Sequence, residues 1–133
     1  MDDVEAAERR CLEAAAAPFV ADVRATLDCE FRLAFELEDD LWCFRAYEST
    51  AGVCSREAVA LAAGAGGQAE LTALVAEVVP DFAFDDVLEP WPRCPRHHDH
   101  PLFPAMQQGR AAWVCRRPGG GRICEIGSLV GPG

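Results

Sequence analysis

Cys94, His97, His98, His100, Cys115 and Cys124 are metal-binding residue types gathered in one stretch, and the three histidines fall within four positions. Thiolate and imidazole together suit zinc. Two residues separate Cys94 from His97, a bite that lets a tight turn aim both at one ion. His98 and His100 stand two apart, so an extended segment points both to one side and Asp99 to the other. Fourteen residues lie between His100 and Cys115, a spacing expected between the two halves of a zinc site.

A tetrahedral ion takes four ligands, so six candidates are more than it needs. The preferred set is Cys94, one of His97 or His98, His100 and Cys115; a second set replaces one histidine with Cys124. The alternative without metal leaves residues 97–100 as a solvated loop and makes Cys115 and Cys124 buried strand residues.

The expected ion is a structural Zn2+. Catalytic zinc keeps an open position, and thiolates suit closed sites. "HHDH" superficially resembles a hydrolase signature, but its spacing is wrong and the chain is short for that fold. H-E-x-x-H, the deaminase pattern H-x-E with P-C-x-x-C, and a phosphate-binding loop are all missing from the sequence. So are G-x-S-x-G and a C-x-x-C redox pair. The sequence therefore predicts no catalytic residues.

A staple is also needed energetically. Residues 90–133 hold few large apolar side chains. Ordering costs roughly 1.5 kcal/mol per residue, which so small a segment seldom recovers by burial alone. A structural zinc supplies an apparent ~10–16 kcal/mol; docking on the preceding part is the other source.

The elements that must position these residues are read from periodicity. Residues 3–27 carry Val4, Cys11, Leu12, Ala15, Phe19, Val20, Val23 and Leu27 at helical spacing; Pro18 should kink or divide that helix. "CEFRLAFEL", 29–37, alternates as a half-buried strand. "EDD" is a turn, and "LWCFRAYE", 41–48, returns with Trp42, Phe44 and Ala46 inward. A weaker third strand is expected over 57–62. Residues 68–79 form a second helix with Leu71, Leu74, Val75 and Val78 buried; Pro80 ends or bends it, and 81–89 add a turn or two. Three prolines in "EPWPRCP" then stop regular structure. "AAWVC", 111–115, and "ICEIG", 123–127, read as a β-hairpin around a glycine-rich loop.

The fold class expected is α+β: an N-terminal helix, a small antiparallel sheet, a second helix and a C-terminal zinc-ribbon-like β-hairpin. The division is an acidic domain over 1–89 and a tail over 90–133. The first part carries a charge of −14 and the second +4, for −10 in all. That acidity argues against nucleic acid, although the tail's six arginines and Trp113 make weak contact conceivable. No run nears the ~20 apolar residues of a membrane span, and "MDDVEAAERR" lacks a signal peptide's core, so a cytoplasmic location is expected. The seven cysteines, odd in number, do not suggest a disulfide framework.

Over about the last 40 residues the chain resembles small Ala-rich proteins of high-GC actinobacteria. Their ending reads approximately W-P-x-C-P-x-H-x-H-P-L, then W-x-C-P, then I-G-x-L. Trp91, Pro92, Cys94, Pro95, His98, His100, Pro101 and Leu102 match the first element, Trp113 and Cys115 the second, and Ile126, Gly127 and Leu129 the third. The resemblance implies a metal-stabilised tail held by Cys94, two histidines and Cys115, and it implies no activity. This chain departs by one extra residue between Cys94 and the H-x-H pair, by Arg116 after Cys115, and by Cys124. The function expected is a non-enzymatic binding or adaptor role toward another protein. Rival readings are a small metal-dependent hydrolase and an acidic immunity-type protein that binds a basic partner.

Overall fold

A computed structural model describes residues 3–27, 31–39, 41–48, 54–58, 67–83, 91–96 and 100–129. The architecture is α+β. Helix α1 spans Asp3–Leu27, strands β1 to β3 span Phe31–Glu38, Leu41–Glu48 and Cys54–Ala58, and helix α2 spans Gln68–Ala83. A second three-stranded sheet follows, with β4 Phe103–Gln107, β5 Arg110–Cys115 and β6 Gly121–Glu125. Both sheets are antiparallel meanders, ordered β1-β2-β3 and β4-β5-β6. No helix among the described residues is long and apolar enough to cross a membrane.

The stripe on α1 is buried as its spacing requires: Leu12, Ala15, Phe19 and Val23 are fully enclosed. Val4 departs from it and is exposed. Pro18 does not divide the helix, which runs through it unbroken. A proline forfeits one backbone bond, and packing on both sides of this turn offsets the loss: Phe19 is buried in the core, and Gly127 of the tail sits against Pro18. Pro80 likewise falls inside α2, which continues to Ala83. It forfeits the N–H bond to the Ala76 carbonyl, three residues before the helix ends. Residues 84–89, expected to extend this region, lie outside those described.

In the first sheet the alternation of β1 buries Phe31 and Phe35 and leaves Arg32 and Glu38 exposed. Trp42 is buried beside them; the side chains of Phe44 and Ala46 lie outside the described set. The third strand is Cys54–Ala58, earlier than the expected 57–62. Its place is set by pairing with β2, from Cys43↔Ala58 to Tyr47↔Cys54. "CSREA" carries no apolar alternation from which the strand could be read.

The tail holds more sheet than one hairpin. Sequence reasoning missed β4, which pairs with β5 from Phe103↔Val114 to Gln107↔Arg110. Gln108 and Gly109 make the turn, with φ of 54° and 78°. Two successive positive φ values mark a turn whose twist matches a two-residue hairpin. The expected β5–β6 pairing is present, with a bulge between Trp113 and Val114. The second arm is Gly121–Glu125, two residues earlier than read.

One hydrophobic core joins both parts of the chain: Leu12, Phe19 and Val75 share it with Cys94, Leu102 and Trp113. Aromatic rings run through it edge to face, from Phe31 to Phe19 at 6.1 Å, to Trp91 at 5.7 Å and to Trp113 at 5.7 Å. Such pairs add about 0.5–1.5 kcal/mol each beyond their area.

Candidate metal centre

The segment that carries the candidates begins where Trp91 is pinned to α1. Its indole Nε1 donates to Thr26 Oγ1 at 2.9 Å, and Thr26 in turn donates to the Asp22 carbonyl. The chain then folds back on itself. Leu102 N donates to Pro92 O at 2.6 Å, Cys94 N donates to His100 O at 2.9 Å, and Arg93 bridges Pro101. This is a short antiparallel ribbon of residues 92–94 against 100–102.

That ribbon sets Cys94 directly opposite His100. Residues so opposed share a face, with Cβ atoms about 4.5–5.5 Å apart. Pro92 and Leu102 occupy the same face and are buried, and Cys94 itself is fully enclosed. His100 is half-buried. The pairing thus sets a thiol and an imidazole side by side on one face of the ribbon.

Cys115 ends β5 and is buried. Continuing the β4–β5 register by one residue sets it opposite Leu102, so it shares the face that holds Cys94 and His100. The loop after it closes over the thiol. A Cβ on Gly120 would fall 2.6 Å from Cys115 Sγ, so only glycine fits without displacement. Arg96 Nη1 donates to Gly120 O at 3.0 Å. His100 Nε2 accepts from Arg117, two residues past Cys115. The His100 ring is therefore turned toward the Cys115 end.

Cys124 has a different setting. It pairs with Trp113 on β5, toward α1. Burial raises its thiol pKa above the ordinary value, and the Asp22 carboxylate raises it further, against a smaller lowering by Arg122.

His97 and His98 lie outside the described residues. Among the described residues, no group of three His, Cys, Asp or Glu side chains is placed to hold one ion. The structure thus pairs Cys94 with His100, sets Cys115 on the same face, and pairs Cys124 with Trp113, two residues before Cys115 on β5. The described cysteines of the tail, Cys94, Cys115 and Cys124, are thiols rather than disulfides.

The residue that sequence reasoning overlooked is Asp22. It is 1% exposed and lies on α1. Its Oδ2 accepts from Trp113 Nε1 at 2.7 Å and from Gly127 N at 2.7 Å, and its Oδ1 accepts from Leu129 N at 3.0 Å. A buried carboxylate is costly unless fully bonded, and three donors from the tail meet that need. Pro18 and Asp22 are four residues apart and share a face of α1. Gly127, with φ 108°, reaches both: a Cβ there would stand 3.0 Å from Pro18 Cβ. The signal was an acid at helical spacing within an apolar stripe, three residues after Phe19 and one before Val23.

Comparison with protein families, with curated proteins and with solved structures finds no match to this chain.

Proposed function

We propose that this chain is a non-enzymatic binding or adaptor protein whose tail is closed by a structural zinc ion. The ligands are Cys94, His100, Cys115 and one of His97 or His98. The observation that carries this reading is the opposition of Cys94 and His100 on a ribbon face whose other members are buried. Closed surroundings suit a structural ion, whereas a catalytic one needs an open coordination place. The residues fit the group in kind, since soft thiolates and an imidazole are zinc ligands. Bound zinc supplies a cross-link among segments that burial alone holds weakly. His100 Nε2, which here accepts from Arg117, would exchange that donor for the metal, and Cys124, one strand over on β6, is left outside the proposed set.

The partner proposed is another protein, one with a basic surface. The tail's link to the acidic part is made by Asp22, buried inside the fold, while Asp3, Glu13, Glu70 and Glu77 stay exposed on α1 and α2. These charges attract cations over about a Debye length and repel nucleic-acid phosphates. The location proposed is cytoplasmic.

The variant Cys94→Ser in the full chain tests the structural role. Metal and tail tertiary structure, the latter followed by near-ultraviolet circular dichroism, should be lost together. A variant that keeps its fold and loses a hydrolytic activity of the parent overturns the reading in favour of a catalytic ion.

A further inference from the structure

Between α2 and the second sheet lies a groove of about 300 Å³, at the small end of ligand-binding pockets. Ala76, Pro92, Leu102 and Trp113 form its buried floor. Trp91, Phe103, Pro80, Pro101 and Pro104 are its half-buried walls. Exposed Glu77 on α2 and Arg116 after β5 stand at its rims.

The lining offers few donors. Four of these residues are prolines, which have no N–H. The Trp91 indole is committed to Thr26 at 2.9 Å and the Trp113 indole to Asp22 at 2.7 Å. Leu102 N is committed to Pro92 O. A ligand body in this groove meets ring faces and hydrocarbon. Arg116 supplies the donors: its Cζ stands 3.9 Å from the Phe103 ring centroid. A guanidinium stacked on a ring keeps its N–H edge available, and that edge matches a planar carboxylate.

We propose that this groove binds a small carboxylate with an aromatic or branched apolar body. The body rests on Leu102, Phe103 and the Trp91 indole, which packs on Trp113, and the carboxylate pairs with Arg116. Among the described residues, neither cysteine nor histidine lines the groove, so the site stands apart from the zinc reading and fails or holds independently of it.

The test is a titration of the 15N-labelled full chain with phenylacetate, following the three indole N–H signals. Trp91 and Trp113 should shift saturably while Trp42 stays fixed. The neutral isostere phenylacetamide should bind at least about tenfold more weakly, the ratio set by losing a charge-assisted hydrogen bond. Arg116→Met should erase that preference with the Trp42 signal unchanged, and Glu77→Gln should not weaken binding. Absence of saturable shifts, equal binding of the amide, or a preference that survives Arg116→Met overturns the proposal.

Discussion

Trp113 donates its indole N–H to Asp22 at 2.7 Å across 91 positions of sequence, and both residues are buried. Trp113 sits on the strand that ends at Cys115, and Asp22 on the helix that anchors Trp91 through Thr26. One carboxylate thereby fixes the candidate metal centre's strand to the first helix. The same carboxylate accepts the backbone N–H groups of Gly127 and Leu129.

Asp22→Asn should destabilise the chain by about 2–4 kcal/mol. The amide replaces an accepting oxygen with a donor that must face another donor, and a buried unsatisfied group costs about 1–3 kcal/mol within a coupled network. Thermal or urea unfolding measures the loss. An effect below about 0.5 kcal/mol, the level of an ordinary surface substitution, contradicts the hub.

Gly120→Ala and Gly127→Ala should each cost about 1–3 kcal/mol, for different reasons. At Gly120 the added Cβ meets Cys115 Cβ, O and Sγ at 2.6 Å, a clash the loop must open to relieve. At Gly127 the obstacle is both the φ of 108° and Pro18 Cβ at 3.0 Å. Gly109→Ala serves as the comparison: nothing lies within 4 Å of its Cβ position, so only backbone strain acts. Equal losses at Gly109 and Gly120 would contradict close packing on Cys115.

Much of the fold was legible because it obeys simple periods. The helical stripe through Leu12, Phe19 and Val23 and the alternation of Phe31 and Phe35 each follow from one rule. Polar "CSREA" could not announce a strand, since the neighbouring β2 places it. The β4–β5 turn at Gln108-Gly109 was hidden because glutamine is an uncommon residue at positive φ. Pro18 read as a kink or a division because the sequence does not show that Gly127 packs on it. The candidate centre was legible in its residue types and spacing. The Cys94–His100 opposition and the pairing of Cys124 with Trp113 needed the sheet register. Asp22 stood within the apolar stripe of α1, but its three donors, more than ninety residues away, could be placed only by the structure.

Cys124 should react slowly with iodoacetamide at pH 8, because its raised pKa keeps the thiol protonated. The sign for stability follows: the unfolded thiol ionises first, so the folded state binds more protons in that window. Its contribution is complete below the ordinary thiol pKa and is lost as pH rises through the higher folded value. Cys124→Ala should flatten the alkaline fall in stability above about pH 9. Alkylation of Cys124 as fast as a free model thiol would contradict the placement beside Asp22.

Replacing His100 with Gln should weaken metal affinity by about tenfold or more, since a neutral amide is a poor substitute for an imidazole on zinc. Arg117→Gln should leave affinity equal or improved, because the guanidinium competes for His100 Nε2. Competition against a chromogenic chelator measures both. Weaker binding after Arg117→Gln would assign that arginine a supporting role instead.

The most direct test of the zinc-closed tail is the zinc content of the full chain purified without chelator, by elemental analysis alongside native mass spectrometry. The account predicts about one zinc per chain, lost in Cys94→Ser and Cys115→Ser and retained in Cys124→Ser. Less than about 0.5 zinc per chain in the parent protein, or loss of zinc with Cys124 rather than Cys115, would contradict it.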